Sequence, residues 1–246
     1  MYSESELDKL HLELMILRRW KVIRTDMKFI GNHHNAVEML LALRIDALHS
    51  HIDEALDVCD PDLAQEVFEE FGAERYDFEH NYPSMHRCSM LLSLYSVLES
   101  ALAQYCRYLS ECLDVQGPPP ARGNIRKYRD YLEKTVGVDF SAAEIYWREL
   151  DAFRQLRNSI VHSSGDIGSN SQLHEYVERS VHISFRDAGL GYVHADGFGF
   201  ELKATFISHV TATMSAFFER LTDGARPLFH LSESEIETVL GLDDVD

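Results

Sequence analysis

The residues best suited to chemistry lie in one stretch, Phe153-Arg154-Gln155-Leu156-Arg157-Asn158-Ser159-Ile160-Val161-His162. Two arginines, an Asn and a His sit there inside an apolar helical pattern, where charged groups are uncommon without a reason. At about 100° per residue, Asn158 and His162 share a face, four residues apart. Arg157 falls about 140° from His162 and Arg154 about 80° from it, so both can flank the same side. A guanidinium fork that grips phosphate beside an imidazole that moves protons is a minimum set for cutting RNA without metal. The same residues also read as a plain helix end. In that reading the arginine pairs with Glu149, Asp151 or Glu99, and the imidazole bonds a carbonyl near Ser164.

Other patterns lead to no site. The four cysteines form no Cys-x-x-Cys pair, which argues against zinc ribbons and thioredoxin-like redox centres and for buried free thiols in a reducing cytosol. His33 and His34 open a helical segment without a matching pair and read as surface histidines. His49 and His51, two apart, cannot share a helical face. Gly189 to Gly199 lacks the Lys-Ser/Thr of a phosphate-binding loop and reads as a hairpin. No Gly-x-Ser-x-Gly elbow or His-Glu-x-x-His helix occurs. We expect neither metal nor cofactor.

Charge narrows the choice further. A net charge of −18 over 246 residues excludes a broad basic groove for nucleic acid, so any phosphate contact must be local. Arg126, Lys127 and Arg129 form the most basic short stretch, able to steer RNA but more simply read as a solvated face. With 45% hydrophobic and 26% charged residues the chain reads as soluble and globular. No apolar run nears the roughly 20 residues that span a bilayer. The acidic start, Met1-Tyr2-Ser3-Glu4, is unlike a targeting peptide, so we expect a cytoplasmic location without membrane contact.

The positioning elements are helical. Apolar steps of three and four predict a helix from Glu4 to about Ile30, stopped by Gly31-Asn32, and a second from about His33 to Val58. Asp60-Pro61 predicts an N-cap and first-turn proline for a short helix ending at Gly72. The polar, aromatic segment Ala73 to Pro83 predicts the main boundary, dividing the chain into a helical extension (1–75) and a second domain (76–246). The strongest helix is expected from Ser84 to Leu113, and a modest one from Asn124 to Val136. Ser141-Ala142-Ala143-Glu144 matches a capping box opening the Arg/His helix. Short strands are expected near Val181–Arg186, Gly191–His194 and Phe198–Leu202, a last amphipathic helix from Lys203 to about Leu221, and a capped tail helix from Ser232 to Leu240.

Arg-Asn-Ser-Ile-Val-His followed by Ser-Ser-Gly resembles the signature of the HEPN domain family, an arginine, a polar residue and a histidine after a short spacer. The helix Ser93-Leu94-Tyr95-Ser96-Val97-Leu98-Glu99-Ser100-Ala101-Leu102 is similar to the first long helix of such domains. The resemblance covers roughly Ser84 to Leu221. It implies a mainly α HEPN-like bundle, here with an N-terminal helical extension and a small β-hairpin insertion near 181–202. It also implies a metal-independent endoribonuclease, of the kind found among toxins and anti-phage effectors, working as a homodimer on RNA and in some systems held by a cognate antitoxin or other protein partner. Arg157 would hold the scissile phosphate, His162 would move the proton, and Asn158 would orient one or the other. Glu99 is a supporting carry-over, and Arg154 a supporting addition from helical geometry. The alternative within the resemblance is a catalytically silent module that binds a protein partner or nucleotide.

An RNA contact confined to a few phosphates has a measurable consequence. The plot of log affinity against log salt should have a slope of about −0.7 per phosphate on single strands, and one of about −6 or steeper would contradict a local cleft.

Overall fold

The computed structural model describes residues 4–120, 124–163, 165–185 and 199–228, with the backbone alone for 4–19. It is mainly helical, with one small antiparallel sheet. The helices are α1 (Glu4–Val58), α2 (Ala64–Tyr76), α3 (Tyr82–Cys112), α4 (Ile125–Tyr131), α5 (Glu144–Ser163), α6 (Ser171–Arg179) and α7 (Thr205–Ala225), and the strands are β1 (Ile183–Phe185) and β2 (Phe200–Leu202). Ile183 pairs with Leu202 and Phe185 with Phe200. Among the described residues no helix is long and apolar enough to cross a membrane. The expected middle strand at 191–194 and the tail helix at 232–240 lie outside the described residues.

Two expected interruptions are absent. Gly31-Asn32 does not stop α1, which spans 55 residues in all and continues to Val58. A glycine inside a helix costs only about 1 kcal/mol, and it lies between two anchors, Met27 (1% exposed) and His34 (0%). Likewise Gly72 does not end α2, and the backbone stays helical through Ala73 to Pro83. A π-helical turn, Asp77–Asn81, joins α2 to α3 there. Proline at 83 lacks the N–H of a regular ladder, and a π turn just before it is a local rearrangement that accommodates the loss. The aromatic residues that made this stretch look broken instead pair at helical spacing. Tyr76 lies 4.9 Å from the His80 ring and Phe78 5.0 Å from Tyr82.

The described chain gathers into two compact units. The first is drawn from Met1–Lys28, Leu94–Asp151 and Thr211–Asp246, the second from Phe29–Ser93 and Ala152–Val210. Each takes chain from both sides of residue 75. In the first unit, Leu98, Leu102 and Leu109 of α3 are buried with Ile125, Leu132, Leu150, Phe217 and Phe218. Cys106 is buried with them, and loss of water pushes its thiol up to about 12. In the second unit α1 meets α2 as a helical hairpin. Arg44 bonds Glu74 at 2.8 Å and lies over the Phe78 ring, and His49 bonds Glu79 at 2.9 Å. Asp60 caps the connecting 3₁₀ turn, accepting from the Asp62 amide, with Pro61 in its first turn, as expected.

The capping box at Ser141 does not form. Ser141 turns to Asp139, giving both its amide and its hydroxyl to that carboxylate, at 2.8 and 2.6 Å. Glu144 is drawn away by Arg129 at 2.7 Å and Arg148 at 3.1 Å. The charge-assisted bonds to arginine outcompete a neutral amide.

Two glycines test the packing in opposite senses. A β-carbon at Gly224 would lie 2.0 Å from the Asp139 carbonyl oxygen, whereas one at Gly72 would meet nothing within 4 Å. Gly224→Ala should therefore destabilise by about 1–3 kcal/mol, and Gly72→Ala should stabilise by about 0.5–1 kcal/mol. Urea midpoints of the two variants check both signs, and equal midpoints would contradict the close approach of α7 to Asp139.

Candidate functional site

The Arg/His stretch occupies the last three turns of α5, in the second unit. Its helix is fixed by one buried face. Phe153 (1% exposed) packs edge-on against Phe206 and His209, with ring centroids 5.5 and 5.7 Å away, and Leu156 is fully buried. The other face carries the polar residues. Arg154, Arg157 and Asn158 are half-buried, and His162 is exposed in the final turn. The Arg157 guanidinium donates to Asn158 Oδ1 at 3.0 Å. The polar residue after the arginine therefore orients the arginine. His162 makes no hydrogen bond among the described residues.

The end of α5 is closed by its own continuation. Gly165, at φ +86°, sends its amide to the Ser159 carbonyl at 3.0 Å. The buried Ser159 hydroxyl donates to the Asp166 carbonyl at 2.5 Å. Gln155 accepts from Asn170 at 2.9 Å. These bonds fix the backbone on which His162 stands, while leaving its imidazole in solvent.

Among the partners that a plain helix end would use, Asp151 is taken up in the first unit by the Arg126 fork, at 2.9 and 2.7 Å. Glu99 also falls in the first unit, half-buried along α3. The basic stretch around Arg126 is mostly engaged. Arg129 bonds Glu133 and Glu144 and lies over the Phe140 and Trp147 rings at 5.2 and 5.3 Å. Lys127 is exposed.

A second polar cluster, in the second unit with the Arg/His stretch, lies outside the sequence reading. His34, expected on the surface, is 0% exposed. Its Nδ1 lies 3.0 Å from His86 Nε2 and its Nε2 lies 2.9 Å from the Ala204 carbonyl. A carbonyl can only accept, so Nε2 of His34 carries a proton. In the neutral ring Nδ1 is then the acceptor, and His86 donates to it. The rings are nearly parallel, 7° apart. One turn along α1, Glu38 takes both arms of Arg87, at 2.7 and 2.8 Å, and Arg87 also donates to the Leu202 carbonyl at 3.0 Å. Burial alone would raise the Glu38 carboxyl, but the hydrogen bond and charge of Arg87 outweigh it and hold the group below its usual range. Burial, then the neighbouring His34, pushes His86 below the ordinary histidine range, against the pull of Glu38. The sequence signal was the pair His34 and Glu38, four apart on one helix face. Its partner His86 lies 52 residues away and is brought close only by the packing of α1 on α3.

Comparison with known proteins finds no matching family model, curated protein or solved structure.

The ion pair makes a stability prediction. With Arg87 at 13% and Glu38 at 18% exposure, removing one partner leaves a largely desolvated charge. Arg87→Met should destabilise by about 2–3 kcal/mol, at the low end for a buried pair because some water reaches it. The double change Arg87→Met with Glu38→Leu should recover much of that loss. A double-mutant cycle in urea reads the coupling, and independent, additive losses would argue against the pair.

Proposed function

We propose that the chain is a metal-independent endoribonuclease of the HEPN type, active as a homodimer, in the role of a toxin or anti-phage effector. The observation that carries this reading is the polar face at the end of α5. Arg157 is half-buried and steadied by Asn158, and His162 stands exposed in the last turn, on a helix anchored by Phe153 and Leu156. Arg154 adds a second positive charge along the same stretch.

The chemistry follows from these groups. The substrate's 2′-oxygen attacks the adjacent phosphorus while the bond to the 5′-oxygen breaks. His162 accepts the 2′-hydroxyl proton, and a proton returns to the departing 5′-oxygen. Arg157 stabilises the charge that builds on the non-bridging oxygens. The products are a 2′,3′-cyclic phosphate and a 5′-hydroxyl. Two copies of the motif facing one cleft would supply a second arginine and a second imidazole, separating the base from the acid.

A second reading is supported by charge. The net −18, with Arg126 and Arg129 already in ion pairs, suits a catalytically silent module that binds a protein partner or nucleotide.

RNA cleavage by the wild type and by His162→Ala, each in EDTA with product ends analysed, separates the two. Cleavage should survive EDTA, leave cyclic-phosphate ends and fall by about 10²- to 10⁴-fold in the variant. A folded, dimeric wild type that leaves total RNA intact would favour the binding module.

A further inference from the structure

We infer that His34, His86 and Glu38 form a binding site for one divalent transition-metal ion of the zinc class, separate from the Arg157–His162 face and independent of what that face does. The three donor atoms lie within 4.8 Å of one another. His34 Nδ1 is 3.0 Å from His86 Nε2 and 3.9 Å from Glu38 Oε1. In a tetrahedral site with bonds of about 2.0–2.2 Å, donor atoms lie roughly 3.3–3.5 Å apart. The pair of nitrogens must therefore open by a few tenths of an ångström, and the carboxylate must close by about as much.

The surroundings suit an ion in a further respect. The far nitrogen of His34 donates to the Ala204 carbonyl. A metal-bound imidazole is commonly oriented this way, because the outer bond fixes the ring and raises the basicity of the liganding nitrogen. Glu38 is held in register by Arg87 from its outer side. The arginine's charge weakens the attraction for a cation, and the carboxylate offsets it locally. Two imidazole nitrogens and one carboxylate oxygen select zinc or its transition-metal neighbours over magnesium or calcium, which take oxygen ligands. Three protein ligands leave a fourth position for water.

Without the ion, the gap is bridged by a proton. The nearly parallel rings face each other nitrogen to nitrogen, and His86 Nε2–H fills the space. Metal entry removes that proton. His86 takes one up at Nδ1, so the neutral ring ligates without net proton change. His34 is fully buried and tied to Ala204, so the half-exposed His86 ring is the one that tilts to converge on the ion. Because the hydrogen bond replaces the ion, chelation should leave the fold intact, and a nuclease assay in EDTA remains a separate question.

The test is zinc binding by the full chain, stripped with chelator and titrated against a chromophoric competitor. The wild type should take up one tight equivalent per chain, and His86→Ala should bind at least 100-fold more weakly. His49→Ala, which alters a surface pair with Glu79, should match the wild type. Zinc should raise the melting temperature of the wild type and of His49→Ala, and leave that of His86→Ala unmoved. Should His86→Ala fail to fold, cobalt added to the wild type decides the matter. A visible band of tetrahedral nitrogen and oxygen ligation supports the site, and its absence overturns it. Equal zinc affinity in wild type and His86→Ala, or no tight equivalent in the wild type, also overturns it.

Discussion

The second unit depends on a polar cluster around the buried His34 that must be satisfied. His34 and Arg87 reach from α1 and α3 to two backbone carbonyls, Ala204 in the short segment between β2 and α7 and Leu202 at the end of β2. His86 and Glu38 complete their hydrogen bonding from the facing helix. A buried imidazole or guanidinium without partners would cost several kcal/mol, so the four side chains and two carbonyls form or fail together. This is what aligns α1, α3 and the start of α7 within the unit. A two-stranded sheet of three residues a side has little stability of its own, and the capture of Leu202 secures its second strand from outside.

The α5 site follows a different logic. Among the described residues of α5, Ser159 is the one polar side chain that is buried. An apolar face anchors the helix, and the functional candidates project from the other side. Folding and the proposed chemistry thus fall to separate faces of one helix. The first unit shows the converse at Arg129, whose guanidinium lies between acidic and aromatic partners. An arginine so enclosed serves packing, and its positive charge does little for a distant anion.

Much of the helical content was legible because it rests on local rules. Asp60-Pro61 capped the turn it was expected to cap, and Asn124 and Gly137 bound the α4 segment through its π turn. The Arg/His stretch was legible as a helix for the same reason, since its apolar positions repeat at helical spacing. The failures came where tertiary contacts override local preference. Gly31 was overridden by anchors on either side of it, the stretch around Pro83 by aromatic pairs and a π turn, and the Ser141 box by Arg129. His34 was misplaced on the surface because a lone histidine says nothing of its partner, and that partner is fixed only when two helices pack. The candidate site was legible in its residue types, while the orientation of Arg157 by Asn158 was not, because neighbours in sequence diverge by about 100° on a helix.

The capture of Ala204 through its carbonyl separates the identity of a residue from its importance. Every residue presents the same acceptor, and the Ala204 side chain is exposed. The bond from His34 is therefore indifferent to what stands at 204, provided the backbone holds its course. Substitutions would be tolerated at the position that is recognised and resisted at the histidine that recognises it. A record of sequence variation would mark His34 as important and pass over its partner, so this junction between sheet and helix is visible in coordinates but nearly silent in an alignment.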